Sequence, residues 1–190
     1  MVDAAVAVVE SEGGNPEDIT LREVARRVGV NHRAAYRHFT DKTALLAAVA
    51  EEGYRALLTE IDAVLTQRRR ATAERRLRAI ATAYVVYAID HPSQYRIMFG
   101  RRLNEDGRFP VLEELVARAH AVLDAEFRAG QTSGELAETP VLETVFGFWS
   151  LAHGFASLTL VRRIKVKRAL LESWGQQVFA PFFRGLRSTL

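Results

Sequence analysis

An all-α protein is the fold class this sequence predicts, and three observations carry it. Proline is scarce, at five in 190 residues, and alanine and leucine are frequent throughout. No Val/Ile/Thr-rich alternating run lies between Asn-Gly type turns, so strands find no support. The breaks fall at Gly13–Pro16, Gly29, Thr40–Asp41, residues 68–72, His91–Pro92, residues 104–110, 130–140 and 162–167. That punctuation predicts about nine helices.

The elements follow in order. Residues 3–12, 20–28 and 31–39 read as short helices with sharp stops, forming a small N-terminal three-helix module over residues 1–46. Beyond Asp41 the helices lengthen, and residues 47–190 read as a larger helical bundle for ligand binding and dimerisation. Thr20 can cap the second helix, with Glu23 at the reciprocal position of a capping box. Leu21, Val24, Ala25 and Val28 make its apolar stripe, and Gly29 stops it because glycine accepts the left-handed conformation. Val30 is expected to plug the turn, Asn31 to cap the third helix, and Ala35 with Phe39 to pack it down.

A helix, a short glycine turn and a second short helix make a helix-turn-helix, in which the second helix reads base edges. Residues 20–42 hold six basic residues against two acidic ones. Packing through Ala35 and Phe39 leaves His32, Arg33, Tyr36 and Arg37 facing outward. A helix of eight residues is roughly 12 Å long, the scale of a major groove. Duplex DNA is therefore the expected partner, against the alternative of two amphipathic helices with a solvated basic face.

Residues 21–25 (Leu-Arg-Glu-Val-Ala), Gly29-Val30, Tyr36-Arg37-His38-Phe39, Asp41-Lys42 and Leu45-Leu46 together resemble the DNA-binding segment of the TetR/AcrR family of bacterial transcriptional regulators. The resemblance implies an all-helical homodimer with an N-terminal DNA-binding domain and a C-terminal ligand-sensing domain. Thr20 is placed against a phosphate at its helix N-terminus, and Arg22 within reach of a base or the backbone. His32 and Arg33 are the candidates for base-edge readout. Tyr36 matches a tyrosine that touches backbone or a thymine methyl, and Lys42 a lysine that neutralises a phosphate. His38 is expected to hold the turn rather than read a base. Ala34 and Ala35 depart from the Thr and Leu that family members often carry. Gly13–Asp18 looks longer than the usual loop. Met1 stands almost inside the first helix, so either the basic arm of many relatives is absent or the chain begins late.

The C-terminal body is expected to do the sensing and pairing. Residues 141–161 are apolar on two faces, one carrying Phe146, Trp149 and His153, the other Phe148, Leu151, Phe155 and Leu158. The last helix repeats this with Phe179, Phe183 and Leu186 on one face and a kink expected at Pro181. Helices apolar all round need cover on both sides. A twofold four-helix interface built on Phe148, Leu151, Phe155, Leu158, Phe179, Phe183 and Leu186 is the simplest solution. The Phe148–Gly154 run resembles the Trp…His-Gly signature of one C-terminal subclass of the family. Tyr84, Tyr87, Tyr95, Met98, Phe99, Phe146, Trp149 and His153 are the candidates to line a largely neutral cavity for a small hydrophobic or aromatic effector.

Other classes are disfavoured by the same residues. The absence of cysteine rules out disulfides, thiolate nucleophiles and Cys-based zinc sites. No nucleotide-binding, zincin or serine-hydrolase motif occurs, and the five histidines lack metal-ligand spacing. No enzyme, metal or cofactor is expected. Net charge is only +3, so a nucleic-acid partner rests on where the charge sits. Residues 144–161 are 18 uncharged positions, but Ser, Thr, Gly and His among them read as a buried helix, not a membrane span. With no signal segment in view, the expected compartment is the cytoplasm. The rival reading is a small-molecule-binding helical dimer that has lost operator binding; it requires an acidic or apolar outer face on residues 31–39.

Overall fold

The computed structural model of the protein describes residues 1–11, 16 and 19–187; the loop expectation for Gly13–Asp18 falls outside them save at Pro16. Nine α-helices run through the described residues: α1 Val2–Ser11, α2 Leu21–Val28, α3 His32–His38, α4 Lys42–Gln67, α5 Ala73–Asp90, α6 Pro92–Met98, α7 Pro110–Thr132, α8 Val141–Leu160 and α9 Leu171–Arg184. No strand forms among them; Leu136 and Arg187 make one isolated bridge. The C-terminal helix continues through Pro181 as far as Arg184.

The helices fall into two compact units. The first comprises Met1–Ala56 and His91–Val116. In it α1 packs on α2 and α6, and α2 on α3. Its core is drawn from the 3.6-residue stripes of each short helix: Ala5, Val8 and Val9, then Leu21, Val24 and Ala25, then Ala35, with Leu45 and Val49 of α4. The connection from α6 to α7 is pinned by the buried Asn104, which donates to the Phe109 carbonyl and to Glu113 and accepts from the Phe109 amide at 2.7 Å.

The second unit comprises Leu57–Asp90 and Ala117–Leu190. Here α5 packs against both α8 and α9. At the α5–α9 contact Gly175 lies so close that an added Cβ would stand 2.6 Å from Thr82 Oγ1, which no side chain tolerates. An aromatic cluster fills the centre: Phe127 of α7, Phe148 of α8 and Phe179, Phe182 and Phe183 of α9, with ring centroids 5.4–5.7 Å from Phe148.

That cluster corrects the expected dimer interface. Phe148, Phe155, Phe179 and Phe183 are buried within the single chain, so they pack as core and leave almost no surface for a partner. Leu151 is half-buried, and Leu186 is half-buried with its carbonyl taken by the Ala137 amide at 2.7 Å. Of the seven, only Leu158 is exposed. The cause is α7, whose Phe127 covers the aromatic face of α8. The apolar surface left open on the other face of α8 is at Leu142 (64% exposed) and Phe146 (46%), and Leu158, Val161 just past the helix and Trp174 of α9 are exposed as well.

Candidate nucleic-acid interface

Local bonding explains the helix-turn-helix residue by residue. Thr20 Oγ1 accepts from the Glu23 amide at 3.1 Å, satisfying one orphan donor of α2. The other half of the expected capping box does not form: Glu23 instead takes Arg26, at 2.6 and 3.0 Å. That bond holds the Glu23 carboxyl below its usual range. Gly29 ends α2 in the left-handed region at φ 77°, and the Val30 amide closes on the Ala25 carbonyl at 3.0 Å. Asn31 Oδ1 then accepts from the Arg33 amide at 2.9 Å, so the Asn31 side chain acts as the cap of α3.

Beneath α3, Ala35 is fully buried and Phe39 half-buried, as the spacing of the two residues requires. The outer face carries Arg33, Tyr36 and Arg37, all exposed, Tyr36 at 53%. These stand at i, i+3 and i+4, hence side by side on one helix face. His38 is exposed too, as are Thr20 and Arg22. The backbone of His32 opens α3, whereas its side chain lies outside the described residues. Val28 and Val30 differ from expectation: both are exposed, because α2 and α3 are too short to cover the tip of their own turn.

The start of α4 is built as tightly. Asp41 Oδ1 accepts from the Ala44 amide at 2.8 Å, and its other oxygen takes the Arg108 guanidinium at 2.7 Å. The amide bond first, and Arg108 second, hold the Asp41 carboxyl below its usual range. Lys42 follows, half-buried. Arg108, which also lies over the Phe109 ring at 5.1 Å, had no signal in the sequence. Its partner is 67 residues away.

The expected effector-lining residues divide between the units. In the first, Tyr95 packs on Phe99 and Phe99 on Tyr54, with centroids 4.8 and 5.8 Å apart. Met98 and Phe99 line a cavity of about 350 Å³ together with Tyr54, Leu112 and Val116. Burial pushes the Tyr54 phenol far up, so it stays neutral. In the second unit the buried Tyr84 hydroxyl meets His153 Nδ1 at 2.9 Å, and Trp149 lies between His153 and His120 at 5.8 and 5.5 Å. Tyr87 is buried. Phe146 is too exposed to wall an enclosed cavity and belongs to the open face of α8. Tyr54 and His120 were missed, since neither sits in a recognisable pattern.

The comparisons with known proteins agree with this geometry. A family model described as bacterial regulatory proteins, tetR family, matches residues 2–49, and one described as tetracyclin repressor-like, C-terminal domain, matches residues 77–180. The chain belongs to the TetR family. Its members are transcriptional regulators rather than enzymes, with helix-turn-helix DNA binding and a ligand-binding C-terminal domain. Among similar sequences, the uncharacterized HTH-type transcriptional regulator YobS of Bacillus subtilis is 25% identical over 173 residues, 91% of this chain and 84% of that one. A Rhodococcus sp. RHA1 structure of unknown function superposes at TM-score 0.82 with 24% identity, covering 98% of this TetR-family chain and 93% of the other. The regulator FadR of Bacillus subtilis, in complex with stearoyl-CoA, superposes at 0.75 with 18% identity, covering 93% and 94%. Among the described residues no helix is long and apolar enough to cross a membrane, and no group of three or more acidic or histidine side chains is placed to hold a metal.

Partial burial lowers the pKa of both His120 and His153 from the usual 6.5. Well above pH 6.5 both are neutral whether the chain is folded or not, and neither affects stability. Below it the unfolded chain takes up protons that the fold resists. The melting temperature is therefore expected to drop as pH falls from 6.5 towards the lowered folded values. His153→Gln should make that drop shallower; an identical pH profile in the variant would show that His153 has no part in it.

Proposed function

We propose that this TetR-family protein is a ligand-responsive repressor that binds a palindromic operator as a homodimer and releases it when a small hydrophobic effector binds. Residues 1–46 would be the DNA-binding domain and 47–190 the ligand-binding and dimerisation domain, acting in the cytoplasm. The observation that carries the reading is the outer face of α3. An exposed Arg33, Tyr36 and Arg37 sit over a fully buried Ala35, a face suited to base edges and phosphates and contrary to the rival reading. Thr20, already accepting from the Glu23 amide, keeps its hydroxyl hydrogen for a phosphate, and Lys42 supplies a second phosphate contact.

The open face of α8 supports dimerisation. Leu142 and Phe146 stand four residues apart on one exposed side of α8, and nothing within 4 Å would meet a Cβ at Gly154. We therefore assign the twofold contact to this face with Trp174 of α9. Trp149, His153 and Gly154 are the residues by which the body fits the Trp-His-Gly subclass. A dimer would set two copies of α3 about 34 Å apart, one turn of duplex. A cavity with Tyr54, Met98, Phe99, Leu112 and Val116 among its walls, and a neighbour of the same fold in complex with stearoyl-CoA, support the effector class.

The test is selection of bound sequences from a random duplex library. A palindrome is expected. Arg33→Ala should relax preference at one base pair per half-site, at about 1–3 kcal/mol. Lys42→Ala should weaken all sequences alike and reduce the salt slope by about 0.9 for each phosphate no longer neutralised. No enrichment by a well-folded protein, or an unchanged site for Arg33→Ala, would overturn the assignment.

A further inference from the structure

The first unit holds two pockets that share a wall. One is the 350 Å³ cavity, whose Tyr54, Met98, Phe99, Leu112 and Val116 give it an apolar lining. The other, about 270 Å³, is polar and is lined by Lys42, Thr43 and Leu46 of α4 with Glu105, Asp106 and Arg108 of the α6–α7 connection. Arg101, Arg102 and Leu103 line both. We propose that the pair takes a single amphipathic anion, its apolar chain in the first pocket and its carboxylate or phosphate head in the second.

The charges favour an anion at the polar end. Arg108 is shared between Asp41 at 2.7 Å and Asp106 at 3.7 Å, so its single charge offsets one of the two aspartates. Arg101 and Arg102 are exposed and make no ion pair among the described residues. Around the polar pocket Lys42, Arg101, Arg102 and Arg108 set four cations against the three carboxylates of Asp41, Glu105 and Asp106, and guanidinium groups suit the two-oxygen face of a carboxylate or phosphate. At the apolar end the one carboxylate, Glu113, accepts from Asn104 at 3.1 Å, and the Tyr54 phenol is held neutral by burial. Together the pockets match the size of sites that enclose a small ligand, at roughly 300–1,000 Å³.

The position supplies a route to release. The head would sit beside Lys42 and the Asp41–Arg108 pair, at the first turn of the helix that follows α3. It would then compete with a DNA phosphate for the same lysine. This deepens the effector reading above and rests on it.

Decanoate and 1-decanol share a chain and differ in the head, so calorimetric titration of the full-length protein with each is the test. Decanoate is expected to bind at least about tenfold tighter, the worth of one charge-assisted contact, and to release the selected operator. Arg101→Ala with Arg102→Ala should remove that preference, leaving the salt slope of operator binding unchanged. Val116→Trp should weaken both ligands by filling the apolar end. Equal binding of the two, or a preference that survives the double variant, would overturn the proposal. So would a reduced salt slope in the double variant, which would make the arginines DNA contacts. If neither compound binds, the amphiphile is wrong; operator release by neutral aromatic compounds in the same assay would leave the broader effector reading standing. No release by any compound would take down both.

Discussion

Phe148→Ala is expected to cost about 3–5 kcal/mol of stability, the range for removing a buried phenyl ring from a packed core. The ring is 1% exposed and touches Phe127, Phe179, Phe182 and Phe183. The four neighbours come from α7 and α9, two helices that cannot both shift to close the void. Urea unfolding at fixed protein concentration would read the loss as a lower midpoint at unchanged slope. Leu142→Ala, on the same helix but 64% exposed, provides the contrast. Its cost should grow with protein concentration if a partner covers it, and should vanish on dilution. A loss under about 1 kcal/mol for Phe148→Ala would show that this aromatic cluster is not a tightly packed core.

Replacing Leu142 and Phe146 together by glutamate should split the proposed dimer and lower operator affinity by about 10²–10⁴-fold, the advantage of engaging two linked half-sites rather than one. Both side chains are exposed in the single chain, so the fold of each protomer should survive. Four carboxylates facing across a twofold axis would be desolvated without partners. Mass measurement in solution and binding to full and half operators would check the outcome. Affinity for an isolated half-site should be nearly unchanged. A double variant that stays dimeric, or that loses half-site affinity as strongly as full-site affinity, would place the twofold contact elsewhere.

Much of the N-terminal reading was legible because its determinants are local. Thr20, Gly29 and Asn31 act within four residues of themselves, and caps and left-handed turns depend on residue type and spacing alone. The outward face of α3 followed from the burial of Ala35. Where a distant or competing partner entered, the reading stopped. Glu23 chose Arg26 over the cap, since an ion pair at i+3 competes for the same carboxylate. Arg108 reached Asp41 across 67 residues, and no spacing rule anticipates that contact.

The C-terminal body divides along the same line. Periodicity showed that α8 and α9 are apolar on two faces and must be covered on both, which is a property of each helix by itself. Which face turns inward depends on the volume and shape offered by α5 and α7, and there Phe127 matched the phenylalanine face and left Leu142 and Phe146 outside. Residue type marks the effector candidates as aromatic and apolar, whereas packing decides which of them group together. Helix content, the Thr20 and Asn31 caps, the Gly29 turn and the outward basic face of α3 were thus determined by the sequence alone, because they arise from interactions a few residues long. The inward face of α8, the Asp41–Arg108 pair and the two adjoining pockets were decided only by tertiary structure, because close packing selects among faces that hydrophobicity leaves equivalent.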